Sequence, residues 1–170
     1  MSEDNNNTDV VFSSEALAEY EEILTHYPER RAALMPVLWL AQREFGWLSP
    51  ATQKYVASLM ELPQSWVEGV ASFYTMYWKK PVGKTHLQVC TGPSCYLRGA
   101  DDIVSAISKR MDISPGGTTL DGACSLERAE CLGSCDSAPM MQISNDRYVE
   151  NLTVDQVLEL LKRVQRGEEV

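Results

Sequence analysis

No run of basic residues occurs anywhere in this 170-residue chain: 15 Lys and Arg stand against 24 Asp and Glu, for a formal charge of −9. Neutralising a phosphate backbone takes clustered cations, so a nucleic-acid surface is excluded, and the acidity reads as solubility or a bias towards a basic partner. Long apolar runs are missing too. No window approaches the roughly eighteen residues of a membrane span, and the opening M-S-E-D-N-N-N-T-D lacks the basic start and apolar middle of a secretory signal, so neither insertion nor export is expected. There is no Gly-x-Gly-x-x-Gly and no Walker loop, hence no expected nucleotide pocket. No Ser/His/Asp set or carboxylate pair stands out as catalytic, and no internal repeat is visible.

What is present is an ordinary globular composition, 44% apolar, divided into two textures. Residues 1–13 read as a disordered acidic tail. Residues 14–79 read as a bundle of four helices. Ser14 begins the first, with Leu17, Tyr20, Leu24 and Tyr27 at helical spacing; Pro28 opens the second, with Leu34, Val37, Leu38, Ala41 and Phe45 on one side and Pro36 inside it. Ser49-Pro50 caps the third, and Ser65-x-x-Glu68 has the form of a capping box for the fourth. Around Lys79-Lys80-Pro81-Val82-Gly83-Lys84 the pattern changes. Residues 80–170 then read as an α/β domain. A strand over 86–90 precedes a helix carrying Leu97, Ala100, Ile103, Ile107 and Met111. Short strands are expected at 118–124, 126–130, 140–144 and 147–150, and Thr153-x-x-Gln156 caps a final helix.

All five cysteines, at positions 90, 95, 124, 131 and 135, lie in this second half. Without an export signal, five thiols point to ligation or redox chemistry before a disulfide framework, and the missing Cys-x-x-Cys argues against a thioredoxin-type redox couple. Cys90-Thr-Gly-Pro-Ser-Cys95 and Cys131-Leu-Gly-Ser-Cys135 each follow a strand and contain small residues, Gly92, Ser94, Gly133 and Ser134, whose backbone N–H groups can turn inward. Such loops suit an anionic iron–sulfur cluster, which needs backbone donors near its sulfurs, yet the spacings also fit structural zinc. Cys124 reads as a small buried hydrophobe. His86 and His26 read as packing and helix-end residues. Trp39, Trp47, Trp66 and Trp78, with Phe73, Tyr74 and Tyr77, read as bundle core or as a surface facing a partner.

Taken in order, S-F-Y-T-M-Y, P-V-G-K, V-C-T-G-P-S-C-Y-L-R-G-A, T-T-L-D-G and E-C-L-G-S-C-D-S-A-P-M resemble the small thioredoxin-like [2Fe–2S] subunit of bacterial respiratory NADH:quinone oxidoreductase, complex I, known as its E subunit. The likeness runs from about residue 14 to the final helix, and the 35 residues between Cys95 and Cys131 also fit it. It implies a thioredoxin-like [2Fe–2S] ferredoxin domain preceded by a four-helix segment, with Cys90, Cys95, Cys131 and Cys135 as the four ligands and Cys124 a spare. It further implies an electron-transfer subunit whose cluster exchanges one electron with the FMN of a neighbouring NADH-binding subunit. FMN and NADH would both sit on that partner, and the isolated chain would be inactive. The complex would hold the chain in the cytoplasm, peripheral at the inner face of the cell membrane. Similar modules serve NAD-linked formate dehydrogenases and hydrogenases, and a zinc-stabilised adaptor is the alternative of a different class.

Overall fold

The computed structural model describes residues 10–168, and the chain divides between Pro81 and Val82 into two compact units. The first contains α1 (Ser14–Thr25), a 3-10 turn (Arg30–Ala33), α2 (Leu34–Phe45), α3 (Pro50–Met60) and α4 (Gln64–Phe73), so the expected four helices are present. Ser13 caps α1 by accepting the Ala16 N–H at 3.2 Å. Just before it, Phe12 is buried and stacks on Phe45 with ring centroids 5.6 Å apart. Residues 10–13, assigned by composition to the acidic tail, are therefore anchored, while residues 1–9 of that tail lie outside the described residues. Pro28 does not open a helix, because the 3-10 turn comes first. Pro36 falls in the first turn of α2, where a backbone N–H needs no intrahelical acceptor, so no kink follows.

Two similar capping signals in this unit come out differently. Ser49 caps α3, accepting the Thr52 N–H at 3.0 Å. The Ser65-x-x-Glu68 box does not form. Extended backbone at Pro63 starts α4 earlier, putting Ser65 inside the helix, and Gln64 Nε2 donates to Glu68 Oε1 at 2.6 Å. Val37, Leu38, Leu48, Val56, Met60 and Tyr77 form the heart of the core, and the Tyr77 hydroxyl donates to the Met35 carbonyl at 2.9 Å. Trp66 and Phe73 are exposed, with the Arg31 guanidinium 5.5 Å from the Trp66 ring centroid.

The second unit runs β1 (Thr85–Cys90), α5 (Pro93–Leu97), α6 (Ala100–Met111), β2 (Cys124–Ala129), β3 (Met141–Ile143), β4 (Arg147–Val149) and α7 (Val154–Gln165). Sheet order is β2-β1-β3-β4, with β1 parallel to β2 and the other pairs antiparallel. A parallel neighbour demands a crossover connection, which α5 and α6 supply. Leu87, Val89, Leu126 and Met141 from the sheet meet Ile103, Ile107 and Leu161 from the helices. β1, an inner strand, is buried from His86 to Cys90.

Three expectations are corrected in this unit. The strand expected over 118–124 does not form: Leu120 is fully exposed, and the stretch before Cys124 meets β2 through one isolated bridge, Thr118 opposite Ser125, and the hydrogen bonds between Thr119 and Cys124. β2 instead begins at Cys124. Leu97 is not on the buried face of a long helix, because Gly99, at φ +93°, separates α5 from α6 and leaves Leu97 82% exposed.

Candidate functional site

The site follows from strand register. β1 and β2 run parallel, with Cys90 opposite Ala129 as the last pair, so both chains leave the sheet side by side at one edge. The Thr91 N–H and hydroxyl both donate to the Ala129 carbonyl, at 2.8 and 3.1 Å, which extends the pairing one residue further. The first chain then turns at Gly92 into α5 and delivers Cys95. The second continues from Glu130 through Cys131 to Cys135. A Cβ at Gly92 would stand 2.9 Å from the Glu130 carbonyl oxygen, 3.7 Å from Cys90 Sγ and 3.8 Å from Cys131 Cβ. Only glycine allows the two loops to come this close.

Register thus brings the two cysteine loops together. The Cys90 thiol lies beside those of Cys95 and Cys131, with the N–H groups of Gly92 and Leu132 close enough to act on its sulfur. Burial pushes this thiol up, but those donors and thiol contacts together outweigh it and hold Cys90 below the usual thiol value. Cys95 moves the other way, raised by burial and then by Cys90, although the Met140 N–H faces its sulfur. Charge on Cys135 also bears on Cys95. The carbonyl of the same Met140 accepts the Cys90 N–H at 3.1 Å, so one residue of the segment after the second loop ties both cysteines of the first. Cys90 and Cys95 are buried, whereas Cys131 and Cys135 face solvent.

Cys124 stands apart. It opens β2 opposite Thr85, at the other end of the strand pair from Cys90. Burial pushes its thiol up to about 11, with Asp121 adding to the effect. His86 is also remote from the loops: it is buried, with Nδ1 2.7 Å from Ser125 Oγ and Nε2 3.1 Å from Glu127 Oε2.

Two residues that sequence reasoning did not single out touch the second loop. The Tyr148 hydroxyl donates to the Leu132 carbonyl at 2.9 Å. The Glu150 carboxylate accepts from the Ser137 hydroxyl at 2.6 Å and from the Ser134 hydroxyl, and these bonds hold it below the usual carboxylate value. Their only signal in sequence is Tyr148-x-Glu150 at strand spacing, which does not say what the face meets.

Four thiols at adjoining strand ends, with N–H groups of Gly92, Leu132 and Met140 aimed at sulfur, fit a sulfur-bridged iron cluster, whose sulfurs accept such bonds. Among the described residues, no group of three or more His, Cys, Asp or Glu is placed to hold a metal ion. A lone zinc asks for four ligands at about 2.0–2.3 Å from one point, whereas a two-iron cluster divides its thiolates between two centres.

Residues 20–165 match the thioredoxin-like [2Fe–2S] ferredoxin family. The E subunit of the NADH-quinone oxidoreductase of Rickettsia bellii is 41% identical over 160 residues, 92% of this chain and 95% of that protein. NADH-quinone oxidoreductase subunit 2 of Thermus thermophilus is 42% identical over 149 residues, 86% of this chain and 82% of that one. Among solved structures, an NAD+-reducing [NiFe]-hydrogenase in the H2-reduced state superposes with a TM-score of 0.71 at 20% identity, over 80% of this chain. This chain spans 22% of that hydrogenase chain, and the likeness is one of fold.

Proposed function

The chain belongs to the thioredoxin-like [2Fe–2S] ferredoxin family, and from that premise we propose that it is the electron-transfer subunit of an NADH:quinone oxidoreductase, with Cys90, Cys95, Cys131 and Cys135 as cluster ligands. One observation carries the ligand set: in-register pairing of β1 with β2 brings the two cysteine loops out at one sheet edge, with Cys124 left at the far end. Relatives that match almost end to end support the choice of complex.

When bound, a [2Fe–2S] cluster supplies one-electron exchange, here with the FMN of a neighbouring NADH-binding subunit. The chain's own residues hold and screen that group. Cys90 and Cys95 would hold it from the buried side, where the buried Met140 bonds the Cys90 N–H through its carbonyl. Gly92, Leu132 and Met140 direct N–H groups at thiolate sulfur, favouring the charged ligand form. The exposed Cys131 and Cys135 lie on the side open to a partner. Among the described residues no helix is long and apolar enough to cross a membrane; attachment at the inner membrane face through the complex is part of the same proposal. A small subunit of an NAD-linked hydrogenase or formate dehydrogenase would use the same site, and the partner recovered from the native host distinguishes the two.

Anaerobically purified chain is expected to carry two irons and two sulfides, with a paramagnetic signal on reduction. Four thiolates without histidine set its potential below about −150 mV, the low end for Rieske centres. Stoichiometric zinc after cluster-competent expression overturns the reading. NADH oxidation is expected only from the complex with the flavin subunit; turnover by the isolated chain contradicts the carrier role.

A further inference from the structure

The loop bearing Cys131 and Cys135 is gripped from outside by one face of one strand. Tyr148 lies in β4 and Glu150 is the residue just past its end, and residues two apart in extended chain share a face. Tyr148 holds the Leu132 carbonyl at 2.9 Å, and Glu150 holds the Ser134 and Ser137 hydroxyls, which are themselves 2.8 Å apart. Between these anchors lies Gly133 at φ +87°, where the backbone has most freedom to swing.

Carbonyl and N–H of a trans peptide point in opposite directions. Fixing the Leu132 carbonyl on Tyr148 therefore turns the Gly133 N–H away from Tyr148. It also holds Leu132 in place, and the Leu132 N–H is among the groups that lower the Cys90 thiol. On the reading that these cysteines hold a [2Fe–2S] cluster, we propose that Tyr148 is a positioning residue: through the Leu132 carbonyl it fixes the backbone donors of the cysteine loop, and so raises the reduction potential of the site. Adding an electron makes a cluster more negative, and donors fixed on its sulfurs stabilise that state most. Freed to rotate, the same peptide groups spend part of their time turned to water.

The test uses the full chain, loaded with cluster anaerobically and titrated against redox mediators, with visible absorbance and electron paramagnetic resonance as readouts. Tyr148→Phe keeps the ring and removes the hydroxyl alone. The expected result is a retained cluster with a more negative midpoint potential and shifted g-values. A merely structural contact would lower the melting temperature and leave both unchanged, so a wild-type potential and g-values in Tyr148→Phe overturn the proposal. Should Tyr148→Phe hold no cluster, p-aminophenylalanine at position 148 restores an N–H donor on the same ring. Recovery of the cluster at near the wild-type potential then supports the assignment, and failure to recover it overturns it. A wild-type chain that loads no cluster overturns the ligand reading and this inference with it, so the two failures are told apart by the control.

Discussion

At the scale of single residues, the contrast between Cys124 and the other four cysteines rests on what each sulfur meets. Cys124 Sγ lies 3.8 Å from the Ser125 carbonyl oxygen in a fully buried position, whereas Cys90 Sγ meets two other thiols and two N–H groups. Cys124→Ser is expected to keep the visible spectrum of the cluster while destabilising the fold by about 1–3 kcal/mol, the range for a hydroxyl buried without good compensation. Serine at Cys90, Cys95, Cys131 or Cys135 is expected to strip or severely weaken it. A spectrum lost in Cys124→Ser alone contradicts this division. The same thiol carries an alkaline signature. Its folded value of about 11 lies above the ordinary 9.0, so its contribution is intact below pH 9 and is lost as pH climbs towards 11. Tyr20, Tyr77 and Cys95 are also raised by burial and give both proteins some alkaline decline, so urea unfolding across that window, wild type beside Cys124→Ala, should show the steeper decline in the wild type. Residue types and spacing made the two cysteine pairs visible in the sequence, and strand register accounts for their loops coming together; Tyr148 and Glu150 stayed hidden because their role depends on which loop their part of the chain meets.

At the scale of elements, two stretches with the same serine/threonine-x-x-glutamate/glutamine form behave differently. At the start of α7, Thr153 Oγ1 accepts the Gln156 N–H at 3.3 Å while Gln156 Oε1 accepts the Thr153 N–H at 2.8 Å, a complete capping box. At α4 the pattern is bypassed by Pro63. Thr153→Ala is expected to cost about 1 kcal/mol, and Ser65→Ala to stay within about 0.5 kcal/mol, by thermal or urea unfolding. Equal losses would mean that α4 does start at Ser65. Helix periodicity was legible throughout, because an apolar face at a period of 3.6 survives any uncertainty at its ends. Boundaries were less so. Gly99 at positive φ breaks what reads as one helix, and 118–123 has residues that suit a strand but no buried face to require one.

At the scale of the whole molecule, the residues from Val82 onward enclose their own core and every cysteine. A chain shortened to begin at Val82 is expected to fold and load the cluster, yet to lose binding to the flavin subunit. That loss is the outcome if the helical unit, with Trp66 and Phe73 exposed, supplies the docking surface. Pull-down alongside an absorbance spectrum reads both properties at once, and undiminished binding removes the docking role from the helices. Strand order also sets a sequence in time. During synthesis Cys90 and Cys95 emerge first, residues 96–130 must follow before the second cysteine loop exists, and Tyr148 and Glu150 come later still. Parallel pairing across such a crossover is slow to form. If the four cysteines hold the cluster as proposed, a chain stalled before β2 docks on β1 presents only half a ligand set, and iron loading becomes a checkpoint that only a completed crossover passes.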